Sequence, residues 1–225
     1  MSAAPTPKAE RAIERLLDVL RSDPRPPISA ASAGRAREVH VADSLSGLEV
    51  EQLRSATRIA DLGSGAGFPG LVLAASLPAA RVDLIDSVRW KCDFLQRAIE
   101  RSGIANAAVV CDRSEEWAWG EGREAYGAVT ARAVGRLSTV AELASPLLER
   151  DGVLVAWKGR RDGGEEAELE RAVPRLAIEP LEVRAVTPYP GSRDRHIHLL
   201  RKNGPTPEEL PRRNGLAAKR PFGAE

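Results

Sequence analysis

The stretch Asp61-Leu62-Gly63-Ser64-Gly65-Ala66-Gly67-Phe68-Pro69-Gly70 decides how the rest of the chain is read. It follows TRIAD (57–61), a run with the length and composition of a strand, and precedes LVLAASL (71–77), which suits a helix. Gly63, Gly65 and Gly67 leave the backbone bare, as a loop requires where a ligand approaches the main chain. Pro69 falls near the first turn of the helix, where a missing N–H costs nothing. In open α/β sheets, ligands bind at the carboxyl ends of strands. Asp86 ends the next strand, RVDLID (81–86), twenty-three residues after Gly63. A carboxylate there can accept hydrogen bonds from both hydroxyls of a ribose. Loop and acid together predict a cofactor that contains adenosine.

Working outward, short apolar runs alternate with helical patterns. Residues 88–102 predict a helix ended by Gly103, and AAVVCD (107–112) and YGAVTAR (126–132) predict strands. A helix over 137–149, the strand GVLVAWKG (152–159) and a charged helix over 164–175 follow. LEVRAVTPY (181–189) and RHIHLLRK (195–202) read as two strands with no helix between them. The pattern predicts a parallel sheet that closes with an antiparallel pair. Upstream, Ile13, Leu16, Leu17 and Leu20 mark a helix over 8–21, stopped by Asp23-Pro24-Arg25-Pro26-Pro27. The small-residue stretch ISAASAG (28–34) leads to a second helix over 35–45, and residues 1–7 read as disordered. The organisation is thus an N-terminal helical extension (1–55), an α/β domain (56–204) and a turn-rich basic tail (205–225) packed on the domain or on RNA.

Composition narrows the class. A chain of 225 residues, 43% hydrophobic and 29% charged, can bury the core of one α/β domain. A net charge of +1 excludes a polybasic or acidic disordered protein. The charge is uneven, however: from Arg184 onward there are nine basic and four acidic residues, a footprint suited to phosphates. Two cysteines, Cys92 and Cys111, exclude a disulfide scaffold or a four-cysteine zinc site, and read as inert reduced thiols. The opening MSAAPTPKAERAIERLL is no secretory signal, and no apolar run suits a membrane span, so a cytoplasmic protein is expected.

Smaller features take plain assignments. His196 and His198 share a strand face but lack further ligands, so no metal is expected. His40, Asp43 and Ser44 on one helix cannot form a catalytic triad, and predict a helix packed over the cofactor cleft. Trp117 and Trp119 are assigned to core or lid packing.

Gly65 to Gly70 also fits GxGxxG, the dinucleotide pattern. Against a nicotinamide cofactor stands Asp61, two residues before the first glycine. An acid there would repel a pyrophosphate but suit the amino group of a methionine moiety. The closing antiparallel pair also suits a methyltransferase sheet.

DLGSGAGFPG (61–70) resembles the S-adenosylmethionine loop of the RsmG (GidB) family, bacterial enzymes that methylate guanine N7 in 16S ribosomal RNA. HVADSL (40–45), LIDS (84–87), Phe94-Leu95, Thr130-Ala131-Arg132-Ala133, Trp157-Lys158-Gly159, Arg195-His196 and LPRRNGLAAKRPF (210–222) fit the family in the same order. Two departures stand out: Trp90-Lys91 replaces a pair of basic residues, and ISAASAGRARE replaces an Asn-Leu-Thr-like segment.

The resemblance implies a class I S-adenosylmethionine-dependent methyltransferase fold: Rossmann-like, with a seven-stranded, mostly parallel sheet and a terminal antiparallel strand. It implies that Gly63, Gly65 and Phe68 form the cofactor loop, Asp86 holds the ribose, Ser114 and Glu115 flank the adenine, and Arg132 lies at the cofactor site. It implies S-adenosyl-L-methionine as cofactor and the decoding-region hairpin of 16S rRNA, within the small ribosomal subunit, as partner. A monomer that needs no metal or membrane is expected. Guanine N7 carries a free lone pair, so no general base is required, and Arg132 and Lys158 are expected to act by positioning. An enzyme acting on an exocyclic amine commonly shows an Asn/Asp-Pro-Pro-Tyr/Phe motif where this chain has Thr130 to Ala133. The alternatives are a methyltransferase of another RNA, a non-catalytic ribosome-assembly factor, and an NAD-dependent oxidoreductase.

Overall fold

The computed structural model describes residues 5–224. Of residues 1–7, expected to be disordered, 1–4 lie outside that range, whereas Thr6 caps and Pro7 begins the first helix. The strands are β1 (Arg58–Leu62), β2 (Arg81–Ile85), β3 (Ala107–Val110), β4 (Tyr126–Arg132), β5 (Leu148–Lys158), β6 (Ile178–Ala185) and β7 (His196–Lys202). They form one sheet in the order β3-β2-β1-β4-β5-β7-β6. The first five are parallel, and β7 runs antiparallel to both neighbours, inserted between β5 and the edge strand β6. This is the expected mostly parallel, seven-stranded architecture. Strand order reverses between β1 and β4, so the glycine loop leaves β1 at the switch point, where such sheets open a crevice.

The helices are α1 (Pro7–Ser22), α2 (Ala30–Gly34), α3 (Ala42–Leu45), α4 (Glu51–Ser55), α5 (Gly70–Ser76), α6 (Arg89–Ser102), α7 (Ser114–Trp117), α8 (Leu137–Ala144), α9 (Gly163–Ala172) and α10 (Leu216–Lys219). The Thr6 hydroxyl caps α1 by accepting from the Ala9 N–H at 3.2 Å. The α1 residues Ile13, Leu16, Leu17 and Leu20 are buried in the same cluster as Leu71, Phe94 and the sheet residues Ile59 and Val82. Hydrophobic burial of this kind stabilises at roughly 25 cal/mol per Å² of apolar surface. The opposite sheet face packs on α8, α9 and the tail residues Leu210 and Phe222.

Four elements depart from the sequence reading. Residues 30–55 form a chain of short pieces rather than one helix over 35–45: α2, a π-helical turn (Arg37–Val41), α3, a 3-10 turn (Ser46–Glu49) and α4. Within the small-residue stretch, α2 forms because the Ser29 hydroxyl caps it and alanine is the best helix former. Helix α8 stops at Ala144 rather than 149, since Pro146 cannot continue it, and β5 begins earlier, at Leu148. Trp117 packs partly buried against the core, its indole N–H donating to the Tyr126 hydroxyl at 2.7 Å, but Trp119 stands 59% exposed. Cys92 and Cys111, expected as separate thiols, are joined in a disulfide with a Cα–Cα distance of 5.7 Å. Packing of α6 on β3 brings together two residues that sequence spacing alone did not pair.

Candidate active site

The glycine loop, leaving β1, is held by the end of the neighbouring strand β2. Gly63 and Ser64 donate their backbone N–H groups to the Ile85 carbonyl at 2.9 and 3.2 Å. Gly63 has φ +63°, and a Cβ there would press on Val134 Cγ2 at 3.0 Å. Asp61, given to a methionine amino group by the sequence argument, is fully buried behind the loop. One of its oxygens accepts from the Gly70 N–H at 3.2 Å and the other from the Thr130 hydroxyl at 2.8 Å. Burial pushes its carboxyl up to about 6, with those hydrogen bonds opposing. Asp61 therefore ties the loop to the sheet and does not face a ligand. Gly70 is required by this closeness: a Cβ would meet Asp61 Oδ2 at 2.6 Å.

In front of the loop lies a cavity of about 320 Å³, lined by Gly63, Asp86, Ser114 and Glu115, with Lys91 and the apolar Ile85, Val88 and Leu143. The Asp86 carboxylate accepts from the Gly65 N–H at 3.0 Å and from the Val88 N–H at 2.9 Å. Lys91 Nζ stands 3.9 Å away. A carboxylate has about four acceptor directions, so two remain for a pair of ribose hydroxyls. Gly65 supports Asp86 rather than lining the cavity.

Glu115 is turned to an unexpected partner. One of its oxygens accepts from the Ser114 hydroxyl at 3.2 Å, the other from the Gly215 N–H at 2.7 Å. The C-terminal tail crosses here, and Gly215, Ala217 and Ala218 form one wall of the cavity. Arg212 fastens the tail through a bidentate pair with Glu142 at 2.6 and 2.5 Å, and the Thr139 hydroxyl donates to the Ala217 carbonyl at 3.1 Å. Sequence reasoning missed this wall. Its one signal was the small residues of NGLAA (214–218), which let a chain pass close to a ligand.

A second cavity, of about 180 Å³, adjoins the first at Ala133. Arg132 and Lys158 line this one, with Asp43, Trp157, Gly159 and Arg195. Arg132, expected at the cofactor site, does not line the first cavity. Lys158 Nζ is already engaged, by Glu165 at 2.5 Å and the Gly135 carbonyl at 3.0 Å. Phe68 is buried between the layers: its ring stacks on His40 with centroids 5.3 Å apart, and the Arg132 guanidinium lies 5.6 Å from its centre. His40 Nε2 and the Ser32 hydroxyl share a hydrogen bond of 2.6 Å, while buried Nδ1 has no partner among the described residues. Burial, with Arg132 and Arg195 nearby, lowers His40 to about 4, so its imidazole is neutral at pH 7. The sequence assigned the helix of His40 and Asp43 to packing over the cleft, and so missed Asp43 as a lining residue. Trp90, where a basic residue was lost, lies under the Arg25 guanidinium at 4.4 Å.

Comparison with known proteins now decides the family. The sequence profile of the family described as rRNA small subunit methyltransferase G (GidB) matches residues 28–198. The chain belongs to this family. Ribosomal RNA small subunit methyltransferase G of Thermotoga neapolitana is 38% identical over 208 residues, covering 92% of this chain and 89% of the relative. Its counterpart in Rubrobacter xylanophilus is 41% identical over 190 residues, covering 81% and 72%. Among solved structures, a SAM-dependent O-methyltransferase from Thermotoga maritima superposes with a TM-score of 0.57 at 15% identity, covering 86% of this chain and 73% of that one. A mutant of MtNAS in complex with S-adenosylmethionine superposes with a TM-score of 0.58 at 13% identity, covering 87% and 73%. These structural likenesses concern the fold alone. As a member of the methyltransferase G family, the protein is a methyltransferase that uses S-adenosylmethionine, and the first cavity fits that cofactor. It offers a backbone-lined loop, a carboxylate with free acceptor directions, and apolar walls.

Proposed function

We propose that the enzyme transfers a methyl group to N7 of a guanine in the decoding-region hairpin of 16S rRNA, acting as a monomer in the cytoplasm on the assembled small subunit. The observation that carries this reading is the second cavity. It is lined by cations, and its one carboxylate, Asp43, is held by Arg132, which leaves no free base to take a proton. Guanine N7 needs none, because its lone pair attacks directly, whereas an exocyclic amine must shed a proton.

When bound, S-adenosylmethionine supplies a methyl group made electrophilic by a sulfonium. Asp86 holds the ribose, Gly63 and Gly65 shape the loop beneath it, Ser114 and Glu115 flank the adenine, and Phe68 backs the junction between the cavities. Arg132 orients the acceptor, and Lys158, with its amine anchored, fixes the far wall. Catalysis comes from alignment and fixed charge. Arg193, Arg195, Arg213, Lys219 and Arg220 form no ion pair with another described residue, and are free to meet RNA phosphates.

The test uses labelled S-adenosylmethionine and small subunits from cells that lack the endogenous enzyme, followed by cleavage at N7-methylguanine. A single new cleavage in the decoding-region hairpin is expected. Arg132→Ala should lower transfer by about 100-fold. Binding of the cofactor without transfer to small subunits would retract the substrate, and wild-type turnover in Arg132→Ala would retract the role of the arginine.

A further inference from the structure

For Arg132 to orient the acceptor, its guanidinium must be kept in place. Arginine is long and samples many rotamers, and an arginine that must be ordered as the acceptor arrives contributes less to alignment. The structure supplies a fixed partner. Asp43, 4% exposed, lies 3.1 Å from Arg132 Nη1 through Oδ2. It is brought there by α3, part of the helical extension that precedes the α/β domain.

That placement is itself locked. The Trp157 indole N–H donates to the Asp43 carbonyl at 2.9 Å and to the Ser46 hydroxyl at 3.1 Å. The Ser46 hydroxyl donates to the same carbonyl at 2.6 Å. Gly47 lies so close to the Trp157 ring that an added Cβ would fall 2.4 Å from Cζ2. The guanidinium also lies over the Phe68 ring, 5.6 Å from its centre. Arg132 is therefore in contact with both a carboxylate and an aromatic ring, at the edge of the cavity that takes the acceptor.

We propose that Asp43 is a positioning residue for methyl transfer: it holds the Arg132 guanidinium in the orientation that meets the acceptor nucleotide. This rests on the second cavity being the acceptor site. The pair is neutral as a whole, so it adds no net attraction for RNA. Its effect falls on the transfer step rather than on capture of the small subunit.

The test compares wild type with Asp43→Ala, Asp43→Asn and the exchanged pair Asp43→Arg with Arg132→Asp. Rates are normalised to the fraction of protein that binds S-adenosylmethionine. Asp43→Ala is expected to lower kcat by about 10- to 100-fold with KM for small subunits nearly unchanged. Asp43→Asn, whose amide oxygen can still accept from Arg132, should recover part of that loss. The exchanged pair should regain thermal stability without regaining transfer, because it turns a carboxylate toward the acceptor. The proposal is overturned by a wild-type kcat in the alanine and asparagine variants, or by transfer that returns with the exchanged pair, since either makes the contact merely structural. Silence of the wild type on small subunits would instead overturn the functional reading, and this proposal with it.

Discussion

The Glu115 carboxylate and the backbone N–H of Gly215 meet at 2.7 Å across one hundred residues of chain. The contact pins the tail against the first cavity, which both residues line. A hydrogen bond to a charged group contributes roughly 1.5–3 kcal/mol. Glu115→Ala should therefore weaken S-adenosylmethionine binding by about tenfold or more, read by calorimetry. An unchanged Kd would mean that the tail contributes nothing to the cavity.

Gly63 tests the loop. Its φ of +63° is costly for any residue with a Cβ, by roughly 1–2 kcal/mol. Gly63→Ala should lower Tm by a few degrees, on the order of 2–4 °C per kcal/mol for a chain of this size. Val134 Cγ2 would also have to move, at the edge of the cavity, so cofactor affinity should fall as well. A drop in Tm with full affinity would show the glycine to matter for the fold alone.

Lys202 gives the enzyme an alkaline signature. It is fully buried, and its ammonium donates to the Ser145 carbonyl at 2.5 Å and the Thr206 hydroxyl at 2.8 Å. Burial lowers it to about 8, with Glu124 opposing. Between that value and the ordinary lysine range, near 10.4, the unfolded chain binds the proton that the folded chain has lost. The lysine's contribution to stability therefore rises with pH across this window. Denaturant titrations of wild type and Lys202→Met at pH 7.5 and 9.5 should show the difference shifting in favour of wild type at the higher pH.

The pairing of Cys92 with Cys111 is directly countable. Denatured protein kept from reductant should show no titratable thiol, and two after reduction. A cross-link closing a loop of this length contributes about 3 kcal/mol. Reduction should lower the denaturation midpoint accordingly. Two free thiols in the untreated protein would restore the expectation drawn from composition.

Much of this was legible in the chain, for reasons that differ by element. The alternation of strands and helices survives in local hydrophobic period, so YGAVTAR (126–132) appears as β4 residue for residue. Gly63 and Asp86 directly follow β1 and β2, and Ser114 and Glu115 open α7 after β3; parallel pairing of the three strands brings these segments together without further information. What escaped the sequence is long-range. Asp43 meets Arg132 across eighty-nine positions and Gly215 meets Glu115 across one hundred, and no local pattern encodes such encounters. Asp61 misled for a related reason: an acid beside a glycine loop looks the same whether it faces a ligand or, as here, the Gly70 N–H and Thr130 behind it.

The wall made by Gly215, Ala217 and Ala218 lies beyond Lys202, where the last strand of the sheet ends. The sheet and the cavity are thus completed by different stretches of chain. A protease cut between Lys202 and Gly215 would spare every strand while freeing one side of the cavity, so a seated cofactor should be read as resistance of this segment to digestion.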